Sequence, residues 1–375
     1  MKIFIVSAAY NERDNIKELI TTLEEEVFPQ TKDHDMHILI ADDNSPDGTG
    51  DVVRELMGKY KNLGINQGEK KGLGAAYVRA MGYAVEHEGA DVVISIDADL
   101  QHDPRAVPSF IKKMEEGYDV VSGTRYSGGG SMPSKWPIQR KLFSVTANIL
   151  MRIITGRFFL HDWTGGYRAI KKEVFIKEKE KVREYKGYTF QVAFLYKTLL
   201  DGFKAGEVPI HFRVRRIGDS KIAPLAYIVN VLKYVVTERI KEVATGPFGK
   251  FIIVGGFGFF LNAIILRILV DKLHWVPYYA NLIGAVVAIF SNYNLNNLWT
   301  FKHHKASSFW KYIFKMLQFY MTSAFGVIVI QTGTIFIGVH FITQQKDYFI
   351  YFICGTGILL VWNFFVYSKF IWRKK

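Results

Sequence analysis

Acidic side chains almost vanish from the last third of this 375-residue chain. From residue 249 onward only Asp271 and Asp347 remain, against twelve Lys and Arg. Cysteine is nearly absent as well: the lone Cys354 excludes an intrachain disulfide framework. The opening "KIFIVS" is too short for the apolar core of a signal peptide and meets Asn11-Glu12-Arg13-Asp14 at once. The N-terminal part is therefore expected to stay in the cytoplasm. Residues 1–248 carry 36 Lys and Arg against 33 Asp and Glu, so most of the formal net charge of +13 lies in the later part. Nucleic-acid binding asks for a basic stripe on a folded surface. Here the basic residues punctuate hydrophobic runs, and no nucleic-acid partner is expected.

What fills the acid-poor part is hydrophobic. Four apolar segments occupy about 250–271, 277–299, 312–342 and 347–370, each reaching the roughly 20 residues that a helix needs to cross a bilayer. Lys302, Lys305, Lys311 and Lys315 crowd the loop between the second and third, and Arg373, Lys374 and Lys375 follow the fourth. Basic flanks favour the cytoplasmic side, so both termini are expected there. Trp275, Tyr278, Tyr279, Tyr348 and Tyr351 stand where an interfacial aromatic belt belongs. "SNYNLNNLWTFK" (291–302) aligns without gaps on "WNFFVYSKFIWR" (362–373), matching Asn292 to Asn363 and Lys302 to Arg373. That suggests a helical hairpin used twice. Arg267, inside the first segment, is either a functional intramembrane charge or one that snorkels to the surface. The expected division is 1–222 N-terminal domain, 223–248 amphipathic interfacial helices and linker, and 249–375 membrane domain with four helices.

The first part reads as α/β. "KIFIVS" and "HILIAD" are short buried strands, and Ile16, Leu19, Ile20 and Leu23 between them keep helical spacing, with Asp14 or Asn15 as the cap. Strand, helix, strand makes a parallel unit whose ligands bind beyond the carboxyl ends of the strands. Tyr10, Asn11 and Glu12 are thereby brought beside Asp42, Asp43 and Asn44. Lys70 and Lys71 precede a helix start, where phosphate oxygens are favoured.

The strand "VVISID" ends in Asp97, with Asp99 two residues on. Residues i and i+2 of extended chain face one way, and two ionised carboxylates there need a cation. Mg2+ or Mn2+ suits them, bound by one or two carboxylates with substrate phosphates completing the shell. Gln101 adds a neutral oxygen, and Asp103 before Pro104 reads as a turn or cap.

"AYNE", "ADDNSPDGT", "KKGLGAAYVRAM", "DADLQH", "SGTRY", "DWTGGYRA" and "GDSK" occur in that order over about residues 1–245. Together they resemble glycosyltransferase family 2, in its dolichyl-phosphate mannose synthase branch. Residues 246–375 resemble the GtrA-like membrane domain. The resemblance implies a GT-A domain with a mostly parallel, Rossmann-like sheet, followed by an all-α four-helix transmembrane domain. It implies a sugar-nucleotide donor, GDP-mannose, and a dolichyl or polyprenyl phosphate acceptor at the bilayer. Ala9, Tyr10, Glu12, Asp42, Asn44 and Lys71 would lie around the donor. Asp97, Asp99 and Gln101 would hold the metal on its diphosphate. Arg125, Arg140 and Ser144 would take the acceptor phosphate, and Arg215, Ser220 and Lys221 would clamp donor and acceptor. Asp99, Arg125 and Arg215 would act at the reacting centre. Ala9 stands where the family often has proline, Asn44 where it has aspartate or glycine, and Ala193 where an acid is common.

Residues 133–155 support the acceptor assignment. Arg140, Ser144, Asn148 and Arg152 recur every four residues as a polar stripe, while Ile138, Leu142, Val145, Ile149 and Ile153 cover much of the rest. Such a helix suits a membrane surface, and arginine binds phosphate oxygens in pairs. An acceptor phosphate is already anionic, so the chemistry asks for positioning and charge neutralisation rather than a strong base. His102 and His161 then read as loop-packing residues. The expected reaction is direct displacement with inversion, giving a β-linked lipid-phosphate mannose. UDP-glucose as donor, or a non-catalytic transporter component for lipid-linked sugar, are the alternatives. Oligomeric state is not set by the sequence.

Overall fold

A computed structural model describes residues 1–185, 187–214, 225–275, 277–338 and 348–372. Arg215, Ser220 and Lys221 lie outside the described residues. The chain forms two compact units, Met1–Arg239 and Ile240–Lys375.

In the first unit the elements run β1 (Lys2–Ala9), α1 (Arg13–Thr22), β2 (Asp35–Asp42), α2 (Thr49–Met57), β3 (Leu63–Gln67), α3 (Leu73–Glu86) and β4 (Val92–Asp97). Then come α4 (Val107–Glu115), β5 (Val120–Thr124), α5 (Ile138–Thr155), β6 (Arg168–Lys171), α6 (Lys172–Val182), α7 (Gly187–Leu200), β7 (Ala205–Pro209) and α8 (Leu225–Thr245). The seven strands make one mixed sheet in the order β3-β2-β1-β4-β6-β5-β7. β3, β2, β1 and β4 are parallel, and so are β5 and β7, whereas β6 runs antiparallel between β4 and β5.

The sheet is buried on both faces, which explains the near-continuous Ile/Val/Ala runs of its central strands. One layer packs α3, α7 and the Val231–Val235 stretch of α8 on Phe4, Val6, Leu39 and Val93. The other packs α1 and α4 on Ile3, Ile5, Ile38, Ile40 and Ile94. In α3, Ala76, Tyr77, Ala80, Met81 and Ala84 recur at helical spacing and are all buried. Register sets the working edge: Ala9 pairs with Asp42, and Ala8 with Asp97, so three strand ends stand level.

Helix α1 starts earlier than its sequence suggests. Glu12, not Asp14 or Asn15, is the cap: its carbonyl accepts from the backbone of Asn15 (3.0 Å) and Ile16 (2.8 Å), and its carboxylate accepts from the Asn15 amide (2.7 Å). The same residue thus ends the β1 loop and begins the helix.

In the second unit follow α9 (Pro247–Asp271), α10 (Pro277–Leu295), α11 (Phe309–Phe325), α12 (Thr332–Ile337) and α13 (Tyr348–Val366). Among the described residues one helix, Pro247–Leu269, is long and apolar enough to cross a membrane by itself. Arg267 is exposed and pairs with Asp271 one turn on (3.5 Å), as a charge reaching toward a helix end does.

The expected internal repeat is visible in detail. α10 continues in a π-helical turn, Asn296–Thr300, and α13 in another, Tyr367–Ile371, at the aligned positions. Phe301 and Trp372 then end them with nearly the same torsions, φ −114° and ψ 35° against φ −113° and ψ 42°. These two equivalent rings stack on each other at 4.7 Å and 12°. Asn292 faces Gly258 of α9, and Asn363 faces Gly326 just after α11, where added Cβ atoms would meet the amides.

Candidate active site

Residues Asn11, Asn44 and Leu100 all take left-handed backbone (φ 59°, 54° and 59°). They lie two or three residues beyond the ends of β1, β2 and β4. Non-glycine residues hold that conformation only where their surroundings fix it. Beyond β1 and β2, Asp42 is buried, accepting from Ser45 (backbone 3.2 Å, hydroxyl 2.6 Å) and from the Gln67 amide (3.2 Å). Ser45 also receives the backbone N–H of Asn11 at 3.1 Å, and Thr49 that of Glu12 at 3.0 Å. Glu12 and Ala9 are buried, whereas Tyr10 is exposed, with the Lys70 ammonium 3.3 Å from its ring centre. Lys71, also exposed, pairs with Glu69 at 2.9 Å. The two lysines thus stand in the loop before α3, at whose cap Gly72 has φ +99°.

Beyond β4, Asp97 and Asp99 are half-buried and Ala98 between them is buried. Asp99 lies in a turn rather than in extended chain: its Oδ1 accepts from the Gln101 backbone at 3.1 Å. The Gln101 side-chain amide donates to the carbonyl of Arg213 (3.3 Å), which reserves its oxygen for other use. Asp97 is steadied from below. The buried Tyr77 hydroxyl lies 3.0 Å from its Oδ1 and 3.1 Å from the Ile96 carbonyl. The buried His102 has Nδ1 3.4 Å from both its Oδ2 and its backbone nitrogen. Burial pushes the His102 pKa down, and Tyr167 and Phe212 enclose the ring at 5.1 Å each.

Among the described residues no group of three or more His, Cys, Asp or Glu is gathered to hold a metal. Two carboxylates and an amide oxygen nonetheless fit a hard divalent cation whose remaining ligands are substrate phosphates and water.

The third cluster carries the arginines. Arg125, just past β5, grips the fully buried Asp162 with Nε (2.7 Å) and an Nη (2.8 Å), and reaches Thr164 at 2.9 Å. Burial alone would raise the Asp162 pKa, but the Arg125 charge and the hydrogen bonds of Arg125 and Thr164 outweigh it and hold it below the usual range. Glu207 of β7 accepts from the backbones of His161 (2.6 Å) and Asp162 (2.9 Å) and meets the His161 ring at 2.7 Å. Tyr126 and Ser144 join hydroxyls at 2.5 Å. Arg140 lies over the Trp136 ring at 3.8 Å, within cation–π range.

Helix α5 is turned inside out for a soluble protein. Its polar side faces the domain: Asn148 is buried and its Oδ1 accepts the backbone N–H of Trp163 at 2.7 Å. Ile138, Leu142, Phe143, Ile149, Leu150 and Ile153 are exposed instead, continued by Phe158 and Phe159.

Several residues that build the site were not singled out in the sequence. Asp162 and Arg168 lie within "DWTGGYRA" but are recognisable only by their partners. Arg168 is buried on β6, donating to the carbonyls of Gln191 (2.5 Å) and Trp163 (3.0 Å), and burial lowers its pKa to about 10. Tyr77 looks like any core tyrosine until its hydroxyl is followed to Asp97.

Residues 4–178 match the glycosyl transferase family 2 description, and residues 250–372 the GtrA/DPMS transmembrane domain. A dolichol-phosphate mannosyltransferase of Pyrococcus furiosus is 31% identical over 349 residues, covering 91% of this chain and 93% of that protein. A polyprenol monophosphomannose synthase of Mycolicibacterium smegmatis is 35% identical over 221 residues, 58% of this chain and 80% of that protein. Among solved structures, glucosyl-3-phosphoglycerate synthase of Mycobacterium tuberculosis with Mn2+ and UDP-glucose is 19% identical. It covers 64% of this chain and 78% of that one, with a TM-score of 0.43.

Proposed function

Because this chain belongs to glycosyltransferase family 2 and carries a GtrA/DPMS transmembrane domain, we propose that it works as its relatives are named. It is a dolichol-phosphate mannosyltransferase that moves mannose from GDP-mannose to a dolichyl or polyprenyl phosphate. The catalytic unit has the GT-A arrangement, and the four apolar segments after residue 249 span the bilayer with the lysine-rich loop, the catalytic unit and both termini on the cytoplasmic side. The observation that carries the acceptor assignment is α5. One helix turns Ser144 and Asn148 toward the site, holds Arg140 at its start, and presents Ile138, Leu142 and Ile153 outward. That combination suits a surface that is at once apolar and bears phosphate.

The donor lies over the ends of β1 and β2, where Asp42 and Glu12 are held for its nucleoside and Tyr10 offers a ring. Asp97, Asp99 and Gln101 would hold Mg2+ or Mn2+, which would supply charge neutralisation for the departing diphosphate. The Tyr77 hydroxyl fixes the Asp97 carboxylate, and Nδ1 of the neutral His102 accepts the Asp97 backbone N–H. Arg125, held by Asp162 just past β5, orients the acceptor phosphate together with Arg140 and Ser144. By the family resemblance, Arg215, Ser220 and Lys221 would help hold donor and acceptor. The acceptor oxygen attacks the anomeric carbon, the bond to the diphosphate breaks, and the product is β-linked. No protein base is required, because the attacking oxygen is already deprotonated.

The test is direct. Full-length protein with Mn2+, dolichyl phosphate and either radiolabelled GDP-mannose or UDP-glucose should yield labelled lipid from GDP-mannose. Labelled lipid from UDP-glucose alone overturns the donor assignment, and none from either overturns the transferase reading. Arg140→Ala should raise the KM for lipid phosphate far more than that for the nucleotide; equal loss of both removes Arg140 from the acceptor site.

A further inference from the structure

Directly after β7, residues 210–213 run between the carboxylates beyond β4 and the arginines beyond β5, and the proposed chemistry leaves them without a task. Their backbone is bound on two sides. The Phe212 N–H donates to the Ser131 carbonyl and the Ser131 N–H to the Ile210 carbonyl, each at 3.0 Å, which ties the segment to the loop before α5. The Arg213 N–H donates to the Gln101 carbonyl at 2.8 Å, and the Gln101 side-chain amide answers to the Arg213 carbonyl at 3.3 Å. The Arg213 guanidinium also pairs with Asp103. One short stretch thus holds both the loop after β4 and the loop after β5.

The Phe212 ring repeats that pattern with side chains. It meets the His102 ring at 5.1 Å and 73°, and the Trp136 ring at 5.6 Å and 67°. Both are the edge-to-face geometry that aromatic pairs favour. The Arg125 guanidinium carbon stands 5.4 Å from the Phe212 ring centre, and Trp136 carries Arg140 at 3.8 Å, both within cation–π range. The line of contacts therefore runs from His102, which accepts the Asp97 N–H, through Phe212 and Trp136 to Arg140. Among the described residues Phe212 belongs to neither buried layer of the sheet, and it is only half-buried. Core packing does not account for its place.

Each reactant can be held by its own charged groups, the donor through Asp97, Asp99 and Gln101 and the acceptor through Arg125, Arg140 and Ser144. Neither set fixes the gap between the anomeric carbon and the attacking oxygen. Rate depends steeply on that gap: a misplacement of about 1 Å can cost about 100-fold. We propose that Phe212 is a positioning residue that sets this gap, by joining the loop after β4 to Arg125 and to the Trp136–Arg140 pair. This rests on the proposed reaction and separates alignment from binding: loss of the ring slows transfer and spares affinity.

Phe212→Leu tests it, because leucine stays apolar but offers no flat ring to the three neighbours. With full-length protein, Mn2+, GDP-mannose and dolichyl phosphate, kcat should fall about tenfold or more, while the KM of each substrate stays within about twofold and Tm within a few degrees. Phe212→Tyr, which keeps the ring, should recover most of the loss. Hydrogen exchange of the full-length protein without metal or substrates gives a readout apart from activity. Phe212→Leu should speed exchange in peptides covering both 99–103 and 131–140, with β2 and β3 unchanged. An unchanged kcat, a rise in one KM alone, a fall in Tm large enough to explain the lost activity, an equal loss in Phe212→Tyr, or faster exchange on one side only overturns the proposal. If the wild type makes no labelled lipid from either donor, the transferase reading falls, and the exchange experiment still decides whether Phe212 joins the two loops.

Discussion

The hydroxyl of Tyr77 lies 3.0 Å from Oδ1 of Asp97 and 3.1 Å from the carbonyl of Ile96, so one buried phenol anchors both side chain and backbone where β4 ends. Tyr77→Phe keeps the ring that packs in the core and removes only that anchor. Hydrogen bonds to charged groups contribute roughly 1.5–3 kcal/mol. The expected result is at least tenfold weaker Mn2+-dependent GDP-mannose binding by calorimetry, with Tm within a few degrees of wild type. Unchanged donor affinity would show that Asp97 needs no such support.

The Arg125–Asp162 pair predicts a contrast between stability and activity. Asp162→Ala leaves a buried guanidinium uncompensated, and breaking such pairs typically costs about 3–5 kcal/mol; a clear fall in Tm is expected. The double variant Arg125→Met/Asp162→Leu should recover most of that Tm without recovering transfer. Recovery of both would leave Arg125 with a purely structural role.

Glycines in the "SGGG" loop should divide sharply. A Cβ at Gly130 would stand 2.5 Å from the Thr124 carbonyl and 3.0 Å from the Arg125 carbonyl carbon, whereas nothing lies within 4 Å of one at Gly128. Backbone atoms at the end of β5 have little room to give. Gly130→Ala should therefore displace Arg125 and lower kcat at least tenfold, and Gly128→Ala should match wild type in the same assay.

Glu178 on α6 gives a pH dependence. It is fully buried, and burial together with a hydrogen bond to Asp201 raises its pKa from the ordinary 4.5 to about 7. The folded chain thus holds this proton more tightly than the unfolded one. Its contribution to stability is present below about pH 4.5 and is lost as pH rises through about 7. Glu178→Gln, which cannot ionise, should melt near wild type at pH 5 and above it at pH 8. A Tm difference independent of pH would count against the shift.

The sequence disclosed β1, β2 and β4 because a sheet buried on both faces writes itself as unbroken β-branched runs, and Asp97 is conspicuous at the end of one. β6 left no such mark. Arg168–Lys171 is four residues long, two of them cationic, and it is a strand only because β4 and β5 receive it on either side. Asp162 was hidden for a related reason: its partners Arg125 and Glu207 are 37 and 45 residues away along the chain. The stripe Arg140–Ser144–Asn148 was legible as periodicity. Periodicity does not say which side faces in, and α5 resolves that by packing its polar side and exposing its apolar one. The Glu12 cap was missed because its capping groups are a backbone carbonyl and a reciprocal Asn15 amide rather than a short hydroxyl or carboxamide at the cap.

Phe301 and Trp372, the equivalent rings stacked where the two membrane hairpins end, bear on how this unit is made. The first hairpin leaves the ribosome with Phe301 and Tyr293 lacking the indole that covers them, and that indole arrives only when nearly all of the second hairpin has been synthesised. Closure of the unit is therefore a late event in biogenesis. A chain stopped short of Trp372 keeps an unfinished aromatic surface at the end of its first hairpin.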